Sequence, residues 1–131
     1  MAKISSSIKS DRYKVEITSP TGNLVIADEP VAQGGKDLGF SPKELLASAL
    51  AACTSATVKM YADRNKIDLQ EVKIEIDLEG VDASNKTIIN RKIQFIGNLD
   101  EVQRKKLLKV ANACPVHKIL TNTVEINTAI M

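Results

Sequence analysis

Ser41-Pro42-Lys43-Glu44-Leu45-Leu46-Ala47-Ser48-Ala49-Leu50-Ala51-Ala52-Cys53-Thr54-Ser55-Ala56-Thr57-Val58-Lys59-Met60-Tyr61 is the stretch on which the fold turns. Ser41 is a good N-cap, Pro42 fits the first helical position, and Glu44 stands three residues after the serine, so residues 41–44 form a capping box. From there to about Asn65 the residues are good helix formers. Ala47, Ala49, Ala51, Ala52 and Ala56 leave few side chains large enough to hold neighbours away. Both faces are apolar through Val58, which predicts a central helix pressed on several sides, while Lys59, Asp63, Arg64 and Lys66 carry its far end toward solvent. The nearly apolar run 45–58 contains Ser and Thr and falls short of the roughly 18 to 20 residues that span a bilayer. It reads as a buried helix of a soluble protein, without a membrane partner.

Upstream of this helix, Tyr13, Val15 and Ile17 alternate with Lys14, Glu16 and Thr18, the period of a half-buried strand. Pro20-Thr21-Gly22-Asn23 supplies turn chemistry, residues 24–27 the return strand, and residues 5–8 an additional edge strand. Between hairpin and helix, residues 28–40 read DEPVAQGGKDLGF, with one proline and three glycines. That composition predicts a loop with no regular element, either part of an active centre or a plain connector.

Downstream, Val72, Ile74, Ile76 and Leu78 alternate with Lys73, Glu75, Asp77 and Glu79 in a clear amphipathic strand. A turn over 82–86 leads into a second strand over 87–97, with Ile89, Ile93 and Phe95 on one face and Lys92 and Gln94 on the other. Asp100 caps a helix reaching about Asn112, with Gln103 in the capping-box position. A short helix from Pro115 to about Asn122 follows, and Val124, Ile126 and Thr128, alternating with Glu125 and Asn127, predict a last strand. Strand pairs joined by short turns give a mostly antiparallel sheet. The expected class is α+β, in a single domain over 1–131.

With 131 residues and 44% apolar content, the chain is large enough to bury a core, built from Ile, Leu, Val and Ala because only four aromatics are present. A net charge of +2, with both signs interspersed, gives no basic stripe for phosphate backbones, so nucleic acid is not an expected partner. The amino terminus lacks the continuous apolar core of a signal peptide, and the expected location is the cytoplasm. Two cysteines in such a chain are expected to be reduced thiols, catalytic or inert.

Those two cysteines, Cys53 and Cys114, differ in their settings. Cys53 lies eleven residues beyond Pro42, where the helix dipole has faded, and reads as a shielded thiol. It is an inert small hydrophobe unless a charge from elsewhere, such as an arginine, activates it. Cys114 sits at the N-cap position before Pro115, where free backbone N–H groups favour thiolate, so it reads as a thiol at a helix mouth. His117, one turn on, is either a partner to that thiol or a solvent-facing or capping residue. A metal site of Cys53, Cys114 and His117 would have three ligands without paired spacing, so neither metal nor cofactor is expected.

The run from Gly34-Gly35 through Gly39-Phe40-Ser41-Pro42-Lys43-Glu44-Leu45-Leu46, the stretch ending in Ala51-Ala52-Cys53-Thr54, and Ala113-Cys114-Pro115-Val116-His117 together resemble the OsmC/Ohr family, the osmotically induced and organic-hydroperoxide-resistance proteins. The resemblance covers nearly the whole chain, and Met60-Tyr61-Ala62-Asp63-Arg64 is similar to the OsmC-like branch. It implies a cysteine peroxidase acting on organic hydroperoxides, with Cys53 attacking, Cys114 resolving as a disulfide, and a dithiol or lipoyl-type reductant. It also implies an intertwined homodimer with sheets wrapped on the central helices. Family peroxidases commonly carry an acidic residue directly after the proline, paired with an arginine. Here that position is Lys43, Glu44 follows as the candidate acid, and Arg12 and Arg64 are the candidate arginines. The alternative is an OsmC-like protein that binds a small ligand without turnover.

Overall fold

Every residue from 1 to 131 is described in the structure, a computed structural model. The chain gathers into two units, Met1–Ala47 and Ser48–Met131.

In the first unit, β1 (Ser5–Ile8), β2 (Val15–Thr18) and β3 (Leu24–Ala27) form an antiparallel sheet in that order, with Ser5 opposite Thr18 and Val15 opposite Ala27. The loop that follows is organised by one buried carboxylate. Asp28 is 2% exposed. Its Oδ1 accepts from the Tyr13 and Glu29 N–H groups at 3.2 and 2.7 Å, and its Oδ2 from those of Lys36 and Leu38 at 3.3 and 3.1 Å. The residues between coil into one turn of 3-10 helix, Val31–Gln33, where composition predicts none. Two glycines permit the tight path. A Cβ at Gly35 would run into the Glu29 carbonyl, and one at Gly39 into the Ile26 carbonyl.

Burial pushes the Asp28 carboxyl up, but the four N–H donors outweigh it and hold its pKa below the ordinary value of 3.8. A depressed carboxyl contributes stability above its unfolded pKa and loses it as pH falls through the folded one. Asp28→Asn would set an amide NH2 against two backbone donors. The urea midpoint of Asp28→Asn is therefore expected to lie below wild type at pH 7. The gap begins to narrow below about pH 3.8, the ordinary value, and closes as pH falls through the lower pKa of the folded carboxyl. A constant gap across that range would contradict the assignment.

Helix α1 (Pro42–Arg64) starts in the first unit and runs into the second. Its capping box is formed: the Ser41 N–H donates to Glu44 Oε1 at 2.9 Å and the Glu44 N–H to Ser41 Oγ at 3.3 Å. In the second unit β4 (Leu69–Val81) and β5 (Thr87–Gly97) make a long antiparallel hairpin, followed by α2 (Glu101–Ala111) and α3 (Pro115–Leu120). The hairpin register pairs Val72 with Phe95, Ile74 with Ile93, Ile76 with Arg91 and Leu78 with Ile89. All eight therefore share one face of the pleat. The Asp100 carboxylate accepts the Gln103 N–H at 2.7 Å and the Asp100 N–H donates to Gln103 Oε1 at 3.0 Å, which fixes the start of α2. Val58, Ala62, Leu69, Phe95, Leu107 and Ala111 form the core between α1, the hairpin and α2.

One expectation is corrected. The last strand is absent: residues 123–131 pair with no other strand, and a strand without a ladder leaves its N–H and C=O groups to water. Val124 and Ile126 accordingly stand 57% and 81% exposed. The expected α+β class with a long central helix, α1, is observed. Leu50, Thr54, Val58 and Ala62, one stripe at four-residue spacing, are buried, while Leu46 and Met60 stay open. At 23 residues α1 is long and apolar enough to cross a membrane by length and composition alone, but its stripe packs on the protein core.

Candidate active site

The site is built where α3 begins. Cys114 is the N-cap residue, with φ −67° and ψ 147°, and Pro115 at the first helical position sets the direction of the turn. The first amides of a helix lack internal partners. Here two consecutive ones take sulfur. The Val116 N–H donates to Cys53 Sγ at 3.4 Å and the His117 N–H to Cys114 Sγ at 3.3 Å. Both cysteines are free thiols, and the Cys53 thiol lies within hydrogen-bonding reach of Cys114. Sixty-one positions of sequence separate the two sulfurs, and the first turn of a six-residue helix brings them together.

Their burial reverses the sequence expectation. Cys114 is wholly buried and Cys53 only partly so. The reason is angular: Thr54, not Cys53, sits on the core-facing stripe of α1, and Cys53 is turned about 100° from it. Thr54 in turn closes over Cys114, its Oγ1 3.6 Å from Cys114 Sγ. On its more open side Cys53 Sγ is 3.9 Å from the Thr57 hydroxyl.

The cation beside the thiols is Arg91, which sequence reading passed over in favour of Arg12 and Arg64. Arg64 lies eleven residues beyond Cys53 in the last turn of α1, and Arg12 precedes β2 in the first unit. Arg91 donates to Thr54 Oγ1 at 2.8 Å and to Asn112 Oδ1 at 2.9 Å. It also reaches His117 Nδ1 at 3.3 Å. A guanidinium can only donate, so Nδ1 of His117 accepts and the ring proton lies on Nε2. The signal for Arg91 was present in the parity of β5. It is in phase with Ile89, Ile93 and Phe95, a charge on the face that carries the core. Thr54 and Asn112 gave no such signal.

Burial raises the Cys114 pKa. The His117 N–H, the Thr54 hydroxyl, the Cys53 thiol and the Arg91 charge together outweigh it, and the thiol is held below its ordinary value. Of the two readings of His117, its backbone serves the thiol and its ring serves Arg91. Glu44 closes the capping box nine residues before Cys53, about 13 Å back along the helix axis. No three His, Cys, Asp or Glu side chains converge as a metal cage. A cavity of about 550 Å³ opens beside Arg91 and His117, lined by the apolar Leu50, Ile89 and Leu120 and by Lys86.

Comparison with known proteins adds the following. The chain matches the OsmC-like protein family over residues 34–129. No curated protein sequence matches it. Among solved structures, it is similar to a protein of Psychrobacter arcticus 273-4 assigned to the osmotic stress and detoxification response, with 28% identity over 91% of this chain and 88% of that one and a TM-score of 0.76. An OsmC-like protein of Mycoplasma pneumoniae shares the fold at 22% identity, covering 92% and 87% of the two chains with a TM-score of 0.77. The organic hydroperoxide resistance protein OhrB of Bacillus subtilis shares it at 24% identity, covering 91% and 89% with a TM-score of 0.62.

Proposed function

This chain belongs to the OsmC-like protein family, and from that premise we propose that it is a thiol peroxidase reducing organic hydroperoxides. Cys53, as thiolate, attacks the terminal oxygen of the hydroperoxide. The O–O bond breaks, the alkoxide leaves as the alcohol after taking a proton, and Cys53 becomes a sulfenic acid. The Cys114 thiolate then attacks the Cys53 sulfur, the S–O bond breaks, and hydroxide leaves as water. One hydroperoxide and two thiols give one alcohol, one water and one disulfide. A dithiol, of the lipoyl type among others, restores both thiols by exchange.

The observation that carries this reading is the pair of neighbouring amides, Val116 and His117, each holding one sulfur. Access and ionisation divide the roles. A peroxide must reach the first thiol, and Cys53 is the less buried one; the second attack needs a nearby thiolate, and Cys114 is buried, close and favoured as thiolate. Glu44 in this reading contributes by holding the start of α1. Free thiols suit a reducing, cytoplasmic compartment. The exposed apolar side chains of Met60, Val124 and Ile126 support a homodimer in which a second copy covers them.

The cavity beside Arg91 favours a second reading, a small-ligand-binding protein without turnover. One experiment separates the two. The reduced protein is treated with one equivalent of cumene hydroperoxide, its thiols are counted, and its disulfides are mapped by mass spectrometry. The peroxidase reading expects loss of both thiols and a Cys53–Cys114 crosslink. Two free thiols with a raised melting temperature would favour ligand binding instead.

A further inference from the structure

Thr54 is wholly buried on a stripe otherwise made of Leu50, Val58 and Ala62. Valine has the same shape and would suit that stripe better, since a buried hydroxyl costs free energy unless its bonds are made. This hydroxyl has three partners: the Leu50 carbonyl at 2.6 Å, an Arg91 N–H at 2.8 Å and Cys114 Sγ at 3.6 Å. Arg91 has no hydrogen bond of its own to either sulfur. Its other partners are Asn112 and His117, both neutral acceptors.

A hydroxyl has one proton and two lone pairs, so the three contacts can be satisfied in two ways. With Cys114 as a thiol, the Thr54 proton points to the Leu50 carbonyl, and the oxygen accepts from Arg91 and from the Cys114 S–H. With Cys114 as a thiolate, the sulfur can only accept, and the Thr54 proton turns to it. The Leu50 carbonyl keeps the Thr54 backbone N–H of the helix, so releasing the hydroxyl costs it little. The Arg91 N–H stays on the oxygen in both states and polarises the O–H bond toward the sulfur.

We propose that Thr54 is a positioning residue for the resolving thiol, a two-position hydroxyl that delivers the Arg91 charge to Cys114 when that sulfur ionises. The role in resolution rests on the peroxidase reading, but the coupling itself does not. The groups facing Cys114 are Cys53 and Thr54 from α1, Arg91 from β5 and His117 from α3.

The test is titration of thiolate absorbance at 240 nm in a Cys53→Ser protein, where Cys114 is the one remaining cysteine. Adding Thr54→Val is expected to raise the midpoint by about one pH unit, and Thr54→Ser to return it toward the parent. Arg91→Gln is expected to raise the midpoint more when Thr54 is present than once Thr54 is valine. An unmoved midpoint in Thr54→Val overturns the proposal. So does an Arg91→Gln shift of equal size in both backgrounds, which would mean the charge acts directly through space. Should Thr54→Val fail to fold, an unmoved midpoint in Arg91→Gln alone overturns it. Peroxide turnover is assayed separately in proteins that retain Cys53. Absence of turnover in the wild type would sink the peroxidase reading and leave the titration result standing.

Discussion

Under the proposed peroxidase scheme, Cys53→Ser is expected to reduce dithiol-dependent consumption of organic hydroperoxide to the rate of the free dithiol, a loss on the order of 10³-fold or more, because the nucleophile of that scheme is gone. Cys114→Ser behaves differently. It is expected to consume one equivalent in a burst and then stall, with sulfenic acid on Cys53 that a dimedone-type probe captures. Neither change threatens the fold. Serine is a better N-cap than cysteine, so position 114 still holds the start of α3, and Cys53 lies off the buried stripe of α1. The losses therefore report chemistry. Full activity in Cys53→Ser would remove the attacking thiol from the scheme, and steady turnover in Cys114→Ser would remove the resolving one.

Leu107→Ala is expected to lower unfolding free energy by about 2–5 kcal/mol, the range for deleting a fully buried leucine from a packed core. Leu107 is 0% exposed and packs among Val58, Ala62, Leu69 and Phe95, where α1, the hairpin and α2 meet. The cavity left behind is bounded by three elements held by their own caps and ladders, so it cannot collapse freely. Urea unfolding followed by circular dichroism measures the cost as a lower midpoint at unchanged slope. Val102→Ala, on the open face of the same helix at 70% exposure, is expected to change stability by less than about 0.5 kcal/mol. Equal costs at the two positions would mean that the burial assigned to α2 is wrong.

How far the site was legible in the chain follows from the range of the forces involved. Capping boxes are local: Ser41 with Glu44 and Asp100 with Gln103 are read from a four-residue window, and both form. Strand parity is nearly as local, and it located β4, the 82–86 turn and β5. It also marked Arg91, whose phase with Ile89 and Ile93 places a cation on the core face, though a lone charge in a strand is easily taken for a solvated edge. The predicted last strand failed because parity describes a face and cannot supply a neighbour for its N–H and C=O groups. The loop over 28–40 looked like punctuation. The Asp28 carboxylate that holds it draws on N–H groups from Tyr13 to Leu38, a pattern with no sequence period.

What the amino-acid order determined by itself is the inventory of elements and the character of each end: a capped apolar helix bearing Cys53, and a Cys-Pro helix start presenting unpaired amides at Cys114. Only the tertiary structure decided which thiol is covered and which is open, and which of the arginines stands beside them. Those outcomes depend on the angle at which α1 meets the hairpin and α3. A turn of about 100° about one helix axis exchanges Thr54 for Cys53 in the core, and no local preference fixes that angle. It is set by the packing of Val58, Leu107 and Phe95 at the centre of the second unit.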